Sequence, residues 1–224
     1  MNPDGLFSEG HKVPGTSCPQ GALVPGTIAP PVIAVFARAP VLGRTKTRLA
    51  LTVGAEAALR IHSELLDRTL QVVTNVDGVD AELWLDGAAE QLAVYGVPVR
   101  TQGVGDLGQR MLGVIADINR RGRSAIIVGS DCPVLDAAYV QAARDALMQG
   151  CDVVLGPVED GGYILIGMSR PIPELMIDMT WSTPTVYAET LARAGALGLN
   201  IVSLRTLWDI DNAADLDRWR AMSP

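Results

Sequence analysis

Lysine is scarce in this chain of 224 residues: of its 18 basic residues, only Lys12 and Lys46 are lysines. Acids number 25, and the formal charge of −7 lacks the basic footprint that nucleic-acid and anionic-membrane binders carry. Cysteine is nearly as rare, with Cys18, Cys132 and Cys151 odd in number and far apart. Such a set fits neither a disulfide framework nor a C-x-x-C zinc site, and a reducing cytoplasm is its simplest setting. Histidine is confined to His11 and His62. No G-x-S-x-G or H-E-x-x-H motif occurs, so two common hydrolase signatures are missing. No window holds the roughly 18 apolar residues of a membrane span, and the first residues lack a basic flank followed by an apolar core. These absences predict a soluble, unexported, cytoplasmic protein that binds neither nucleic acid nor membrane.

What remains is a globular composition, 48% hydrophobic and 19% charged, in a chain long enough to bury a core without staples. Residues 1–31 hold six prolines and five glycines, too many breakers for a regular element. They read as a flexible tail ahead of one domain over 32–224. From residue 32 onward, short apolar runs alternate with helical spacing, the pattern of β and α units around a mostly parallel sheet. Strands are expected at 32–37, 81–85, 97–101, 125–128, 153–155, 163–168 and 200–204. Helices are expected at 55–74, up to about 94, at 107–119, from the N-cap Asp136 to 148, at 183–196 and at 213–220. Sheets of this kind bind ligands at the carboxyl ends of their strands, which directs attention to the loops 37–48, 103–108, 129–133 and 156–162.

The first of these loops reads R-A-P-V-L-G-R-T-K-T-R from Arg38 to Arg48, with four cations and no acid. In an acidic chain this is a local field of the opposite sign, at a strand-to-helix junction whose amides also favour an anion. A compact lysine charge beside arginine forks suits a di- or triphosphate; the plainer reading is a solvated basic loop. Gly43 stands too close to Lys46 and Thr47 for a Walker A loop, and Pro40 occupies the place of its upstream glycine.

Asp131 follows the apolar run 125–128, and Pro133 ends regular structure there. A carboxylate so placed can bind Mg²⁺, which takes one or two protein carboxylates and keeps water and substrate phosphates. The second carboxylate is expected from W-D-I-D at 208–211, where Asp209 and Asp211 share a face of extended chain and Asp211 is also placed to cap the next helix. Glu159, Asp160, Gly161 and Gly162 have two readings. They form a tight hairpin with solvated acids, or the glycines let backbone approach a substrate while Glu159 or Asp160 holds a hydroxyl or acts as a base. Gly103, Gly105 and Gly108 match the dinucleotide fingerprint, with Asp131 near the expected offset. That fingerprint belongs in the first βα turn, and a looser role lining a base or ribose also fits. His62 reads as a packed or surface residue, and Cys132 as a buried structural thiol.

Five blocks in collinear order carry a resemblance: residues 36–49, G-S-D-C-P at 129–133, G-P-V-E-D-G-G-Y at 156–163, W-S-T at 181–183 and D-I-D at 209–211. Together they resemble the small bacterial family of radical-SAM/selenodomain-associated transferases, within the glycosyltransferase-A superfamily, over residues 32–220. More distantly the chain is similar to nucleotidylyltransferases such as phospholactate guanylyltransferase and the molybdenum-cofactor enzymes. The resemblance implies a single-domain nucleotide-diphospho-sugar-transferase-like α/β fold, a three-layer sandwich around a mostly parallel sheet. By position, it implies that Gly43, Lys46 and Arg48 hold nucleotide phosphates, with Arg38 and Arg44 in the same loop, and that Gly105, Asp106 and Gly108 line the base. Asp131 with Asp211 would bind Mg²⁺ or Mn²⁺, and Glu159, Asp160, Gly161, Gly162, Trp181 and Ser182 would face the acceptor. Ser130-Asp131-Cys132 departs from a full D-x-D triplet.

An enzyme is therefore expected: a metal-dependent transferase taking a nucleotide-activated donor and a small-molecule acceptor, with Lys46, Arg48, Asp131, Glu159 and Asp160 as its catalytic set. The resemblance favours glycosyl transfer from a nucleotide sugar. The residues themselves lean toward nucleotidyl transfer, because the lysine and arginines of the first loop suit pyrophosphate leaving toward Lys46 and Arg48 and the D-x-D triplet is incomplete. A non-catalytic nucleotide-binding protein is the remaining alternative.

Overall fold

The computed structural model describes residues 29–87 and 96–222. Most of the expected tail and the short helix expected up to about 94 lie outside the described residues. β1 (Val32–Arg38) is buried along its length up to the exposed Arg38, as an interior parallel strand covered on both faces should be. Its side chains alternate between two cores. Ile33, Val35 and Ala37 join one cluster, and Val32, Ala34 and Phe36 the other, so the sheet is the middle of three layers.

One outer layer holds α2 (Ala55–Thr74) and α4 (Ala137–Met148). The opposite layer holds α3 (Leu107–Arg120) and α5 (Val186–Ala196). α2 buries Ala58, Ile61, Leu65, Leu66, Leu70 and Val73, a stripe of helical period. α4 starts where expected, with the Asp136 carboxylate accepting from the Tyr139 amide at 2.8 Å. α3 is opened by Asp106 and Gln109 in a reciprocal capping box. α1 (Thr47–Val53) and α6 (Ala213–Met222) close a third, smaller cluster of Leu49, Ile61, Leu65, Trp208, Ile210 and Leu216.

The remaining strands are β2 (Asp80–Asp86), β3 (Val99–Thr101), β4 (Ala125–Gly129), β5 (Val153–Pro157), β6 (Tyr163–Met168) and β7 (Ile201–Ser203). They form one sheet in the order β3-β2-β1-β4-β6-β5-β7. All neighbours are parallel except those of β6, which runs antiparallel to both β4 and β5. The chain leaves β1 toward β2 and β3 on one side, then returns to β4 on the other, so the switch point lies between β1 and β4. Ligand crevices open at the carboxyl ends of strands at such a point.

The strands fall within two residues of expectation, and two helices differ. The segment before α2 contains α1, expected to be loop. Gly54, at φ 83°, separates the two helices. α5 begins three residues later than expected, because residues 181–184 turn beside the start of β6, Trp181 against Tyr163, instead of joining the helix. No helix among the described residues is long and apolar enough to cross a membrane.

Candidate active site

The cation loop leaves β1 at the switch point and ends on Lys46, which sits at the N-cap of α1 with φ 45° and ψ 48°. Left-handed backbone is costly for a residue with a Cβ, yet here it turns the lysine inward. Its side chain is only 5% exposed; Nζ donates to the Ile210 carbonyl at 2.6 Å and pairs with Asp131 Oδ1 at 2.7 Å. The Asp131 contact is an ion pair without the alignment of a hydrogen bond, and the Asp131 side chain remains 44% exposed at the crevice. Beside Lys46, Thr45 is buried with its hydroxyl unpaired. Arg38 donates to the Arg44 carbonyl at 3.2 Å, and both arginines stay exposed with Gly43. Beneath the loop, His62 is buried and its Nε2 meets the Arg38 carbonyl at 2.9 Å. Burial pulls its pKa down, which makes it a neutral prop under the end of β1.

The carboxylates sort themselves by partner. The segment after β7 runs alongside β5, with the Leu207 amide on the Pro157 carbonyl and the Glu159 amide on the Leu207 carbonyl. It then meets the β4 loop, where the Ile210 amide donates to the Asp131 carbonyl at 3.0 Å. Asp209 is thereby carried between Asp131 and Asp160. Burial first, then the charges of Asp160 and Asp131, push its carboxyl up to about 6, against the pull of Lys46. Asp211, expected to share a metal with Asp131, pairs with the Arg48 guanidinium at 2.6 Å, both side chains being exposed. The helix cap is Asn212, whose Oδ1 accepts from the Ala214 amide at 2.8 Å. Glu159 is held by both terminal nitrogens of Arg218 at 2.7 and 3.0 Å. Asp160 anchors its own turn, with Oδ1 accepting from the Gly162 amide at 2.8 Å. Among the described residues no group of three or more His, Cys, Asp or Glu forms a ready metal cage.

On the α3/α5 face, a cavity of about 210 Å³ lies under the carboxyl ends of β1 and β4. Its walls are mostly apolar, with Asp160, Gly162, Trp181 and Ser182 on its polar side. Tyr163 and Trp181 meet edge to face, centroids 6.4 Å apart, and the buried Trp181 Nε1 has no hydrogen-bond partner. Ser182, at φ 62°, shares the left-handed backbone of Lys46. Gly161 is required where it stands: φ is +88°, and a Cβ would lie 2.1 Å from the Pro184 carbonyl oxygen. A larger open groove of about 690 Å³ between α2 and α6 is lined by Arg60, Glu64, Asp67 and Arg68 and shares no residue with this site.

The dinucleotide-like glycines border the cavity through Gly108, which packs on Trp181. They follow β3, at the sheet edge rather than at the switch point. Gly108 is covered, because a Cβ there would lie 2.7 Å from the Met176 carbonyl oxygen and 2.8 Å from the Trp181 ring; Gly105 and Asp106 remain exposed at the start of α3. Cys132 is a buried free thiol pushed up to about 11 by burial, hence no nucleophile. Cys151, against the expectation for the cysteines, is disulfide-bonded. The W-D-I-D alternation offered Asp209 and Asp211 alike as the second carboxylate, and of the two Asp209 is the one that feels the Asp131 charge. Sequence reading passed over the apolar cavity walls, for which no local signal exists.

The comparisons agree with this architecture. A provisionally assigned nucleotide-diphospho-sugar transferase from Desulfovibrio desulfuricans G20 is 27% identical, with a TM-score of 0.76 over 81% of this chain and 82% of that one. CMP:2-keto-3-deoxy-manno-octonic acid synthetase, crystallised with CTP, shares the fold at 15% identity and TM-score 0.57, over 86% of this chain and 98% of that one. The Rv0371c protein of Mycobacterium tuberculosis H37Rv, crystallised with manganese, does so at 18% identity and TM-score 0.55, over 86% and 99%. No curated protein matches the sequence. A family model matches residues 69–183, a little over half of the chain, including Asp131, Asp160 and Trp181. The chain therefore belongs to the DUF2064 family, described as an uncharacterized protein conserved in bacteria.

Proposed function

We propose that this protein is a transferase that uses a nucleotide-activated donor with Mg²⁺ or Mn²⁺, and that its reaction is glycosyl transfer from a nucleotide sugar. One observation carries the reading. Asp160 both lines the cavity and faces Asp209 in the Lys46–Asp131 cluster, so a space for an acceptor opens onto a place for phosphates. In the reaction the acceptor hydroxyl attacks the anomeric carbon, the bond from that carbon to the diphosphate oxygen breaks, and a nucleoside diphosphate leaves. Asp160 is placed to take the hydroxyl proton. Lys46 faces the leaving diphosphate with Arg38 and Arg44 beside it, and fixed cations at developing charge are a large source of rate.

Asp131 and Asp209 fit a divalent cation better than Asp131 and Asp211. Their donors are hard carboxylate oxygens, and Asp209, raised by burial first and then by the charges of Asp160 and Asp131, has Lys46 as its counter-charge. A cation there supplies charge neutralisation to the diphosphate.

A second reading is supported by the inward Lys46 in the first loop: nucleotidyl transfer, in which the acceptor attacks the α-phosphorus and pyrophosphate leaves. Incubation with Mg²⁺ or Mn²⁺ and acceptors, offering nucleotide sugars or nucleoside triphosphates, separates the two. Nucleoside diphosphate release supports glycosyl transfer, pyrophosphate release replaces it with the second reading, and nucleotide affinity without turnover overturns both.

A further inference from the structure

We infer that the 210 Å³ cavity binds an uncharged alcohol with an apolar body. Phe36, Met111, Ile127, Ile164, Ile166 and Val186 supply walls with no polar group to offer. Among the described residues that line the space Asp160 alone is charged, and none of them offers a cation to receive a carboxylate or phosphate. An anion entering would lose its hydration, gain no partner and meet the Asp160 charge.

Asp160 supplies the acceptor that completes the specification. Asp160 keeps Oδ2 as an acceptor, since only Oδ1 is engaged, by the Gly162 amide. Trp181 lines the cavity with its ring, while its Nε1 is buried against Gly108. A hydroxyl donates to Asp160 and brings no charge into the apolar lining. An ammonium would give up water for that lining, a cost that one carboxylate often does not repay. Tyr163, whose phenol burial pushes up, stays protonated and adds ring surface rather than charge.

This deepens the transferase reading by naming its acceptor class, and it rests on that reading only for the word acceptor. The test uses the full chain with benzyl alcohol, benzoate and benzylamine, which share a ring and differ in charge. Affinities come from ligand-observed NMR, and contact comes from the Trp181 indole ¹H–¹⁵N signal, assigned by its loss in Trp181→Phe. Benzyl alcohol is expected to bind about tenfold or more tighter than either charged analogue and to shift the Trp181 signal. Equal or tighter binding of benzoate or benzylamine overturns the inference, as does benzyl alcohol binding with the Trp181 signal unmoved. The wild-type comparison stands even if the variant fails to fold. Selectivity for the alcohol without any nucleotide turnover keeps the ligand class and removes the transferase reading. Turnover restricted to phosphorylated or carboxylated acceptors does the reverse.

Discussion

Two carboxylates, one on the sheet and one in the segment after β7, are drawn out of water and treated in opposite ways. Glu82, on β2 toward the amino ends of the strands, is 5% exposed and receives Arg121 at 2.5 and 3.2 Å, Arg100 at 3.1 Å and the Trp84 indole at 3.0 Å. Burial alone would raise its carboxyl, but those hydrogen bonds and charges outweigh it and hold the pKa below the ordinary value. Asp209, at the carboxyl ends, faces Asp160 and Asp131 with Lys46 as its counter-charge, and its pKa is pushed up to about 6. The first arrangement is finished within the protein. The second is left short of positive charge, and an incomplete arrangement in a crevice marks a place for a ligand.

The largest expected effect lies on the unfinished side. Lys46→Met should cut turnover by about 10²–10³-fold, the scale for losing one fixed charge-stabilising donor, while the partly exposed Asp131 rehydrates and the fold survives. Product release against circular dichroism checks both, and a variant of undiminished rate would remove Lys46 from the site. Glu82→Gln should act the other way round, costing about 3 kcal/mol of stability because its arginines lose their partner yet reach water. Urea unfolding measures it, and the folded fraction should keep its full turnover.

Asp209→Asn sharpens the contrast through pH, measured in metal-free buffer. Between about 4 and 6 the folded state keeps the Asp209 proton that the unfolded chain has lost, so this group's contribution falls as pH rises through that window. The variant should thus gain on the order of 2 kcal/mol at pH 7, with the gain fading below about pH 4. Glu82 has the opposite sign, its contribution being present above the ordinary carboxyl pKa and lost as pH falls through it. A flat difference between wild type and Asp209→Asn from pH 4 to 7 would contradict the crowding of Asp209. The smallest effect belongs to Arg48→Ala. Its pair with Asp211 is 74% and 55% exposed, so melting should move within the scatter of surface substitutions, and any larger change should appear in KM for the donor.

Much of the frame was legible because it is written locally. Alternating apolar runs located the strands to within two residues, and Asp136 announced α4 by its cap. α1 escaped because it lacks that signal: its N-cap is a lysine in left-handed backbone with no side-chain cap. The reversal of β6 was signalled only by the hairpin reading of residues 159–162, since a strand buried on both faces shows the same apolar run in either direction. At the site, alternation showed that Asp209 and Asp211 share a face of the chain but not which of them would lie against Asp131. That was decided by the hydrogen bonds that lay residues 207–210 along β5 and the β4 loop. The cavity could not be read at all, being assembled from three strands and two helices.

The left-handed lysine also bears on engineering. Glycine at position 46 would adopt φ 45° without penalty, and asparagine at 209 would shed a repelled charge. A screen for heat resistance alone would therefore collect both replacements early, because strained and like-charged positions are where tolerance is cheapest to improve. The hardier the variants from such a screen, the less of the proposed chemistry they would keep.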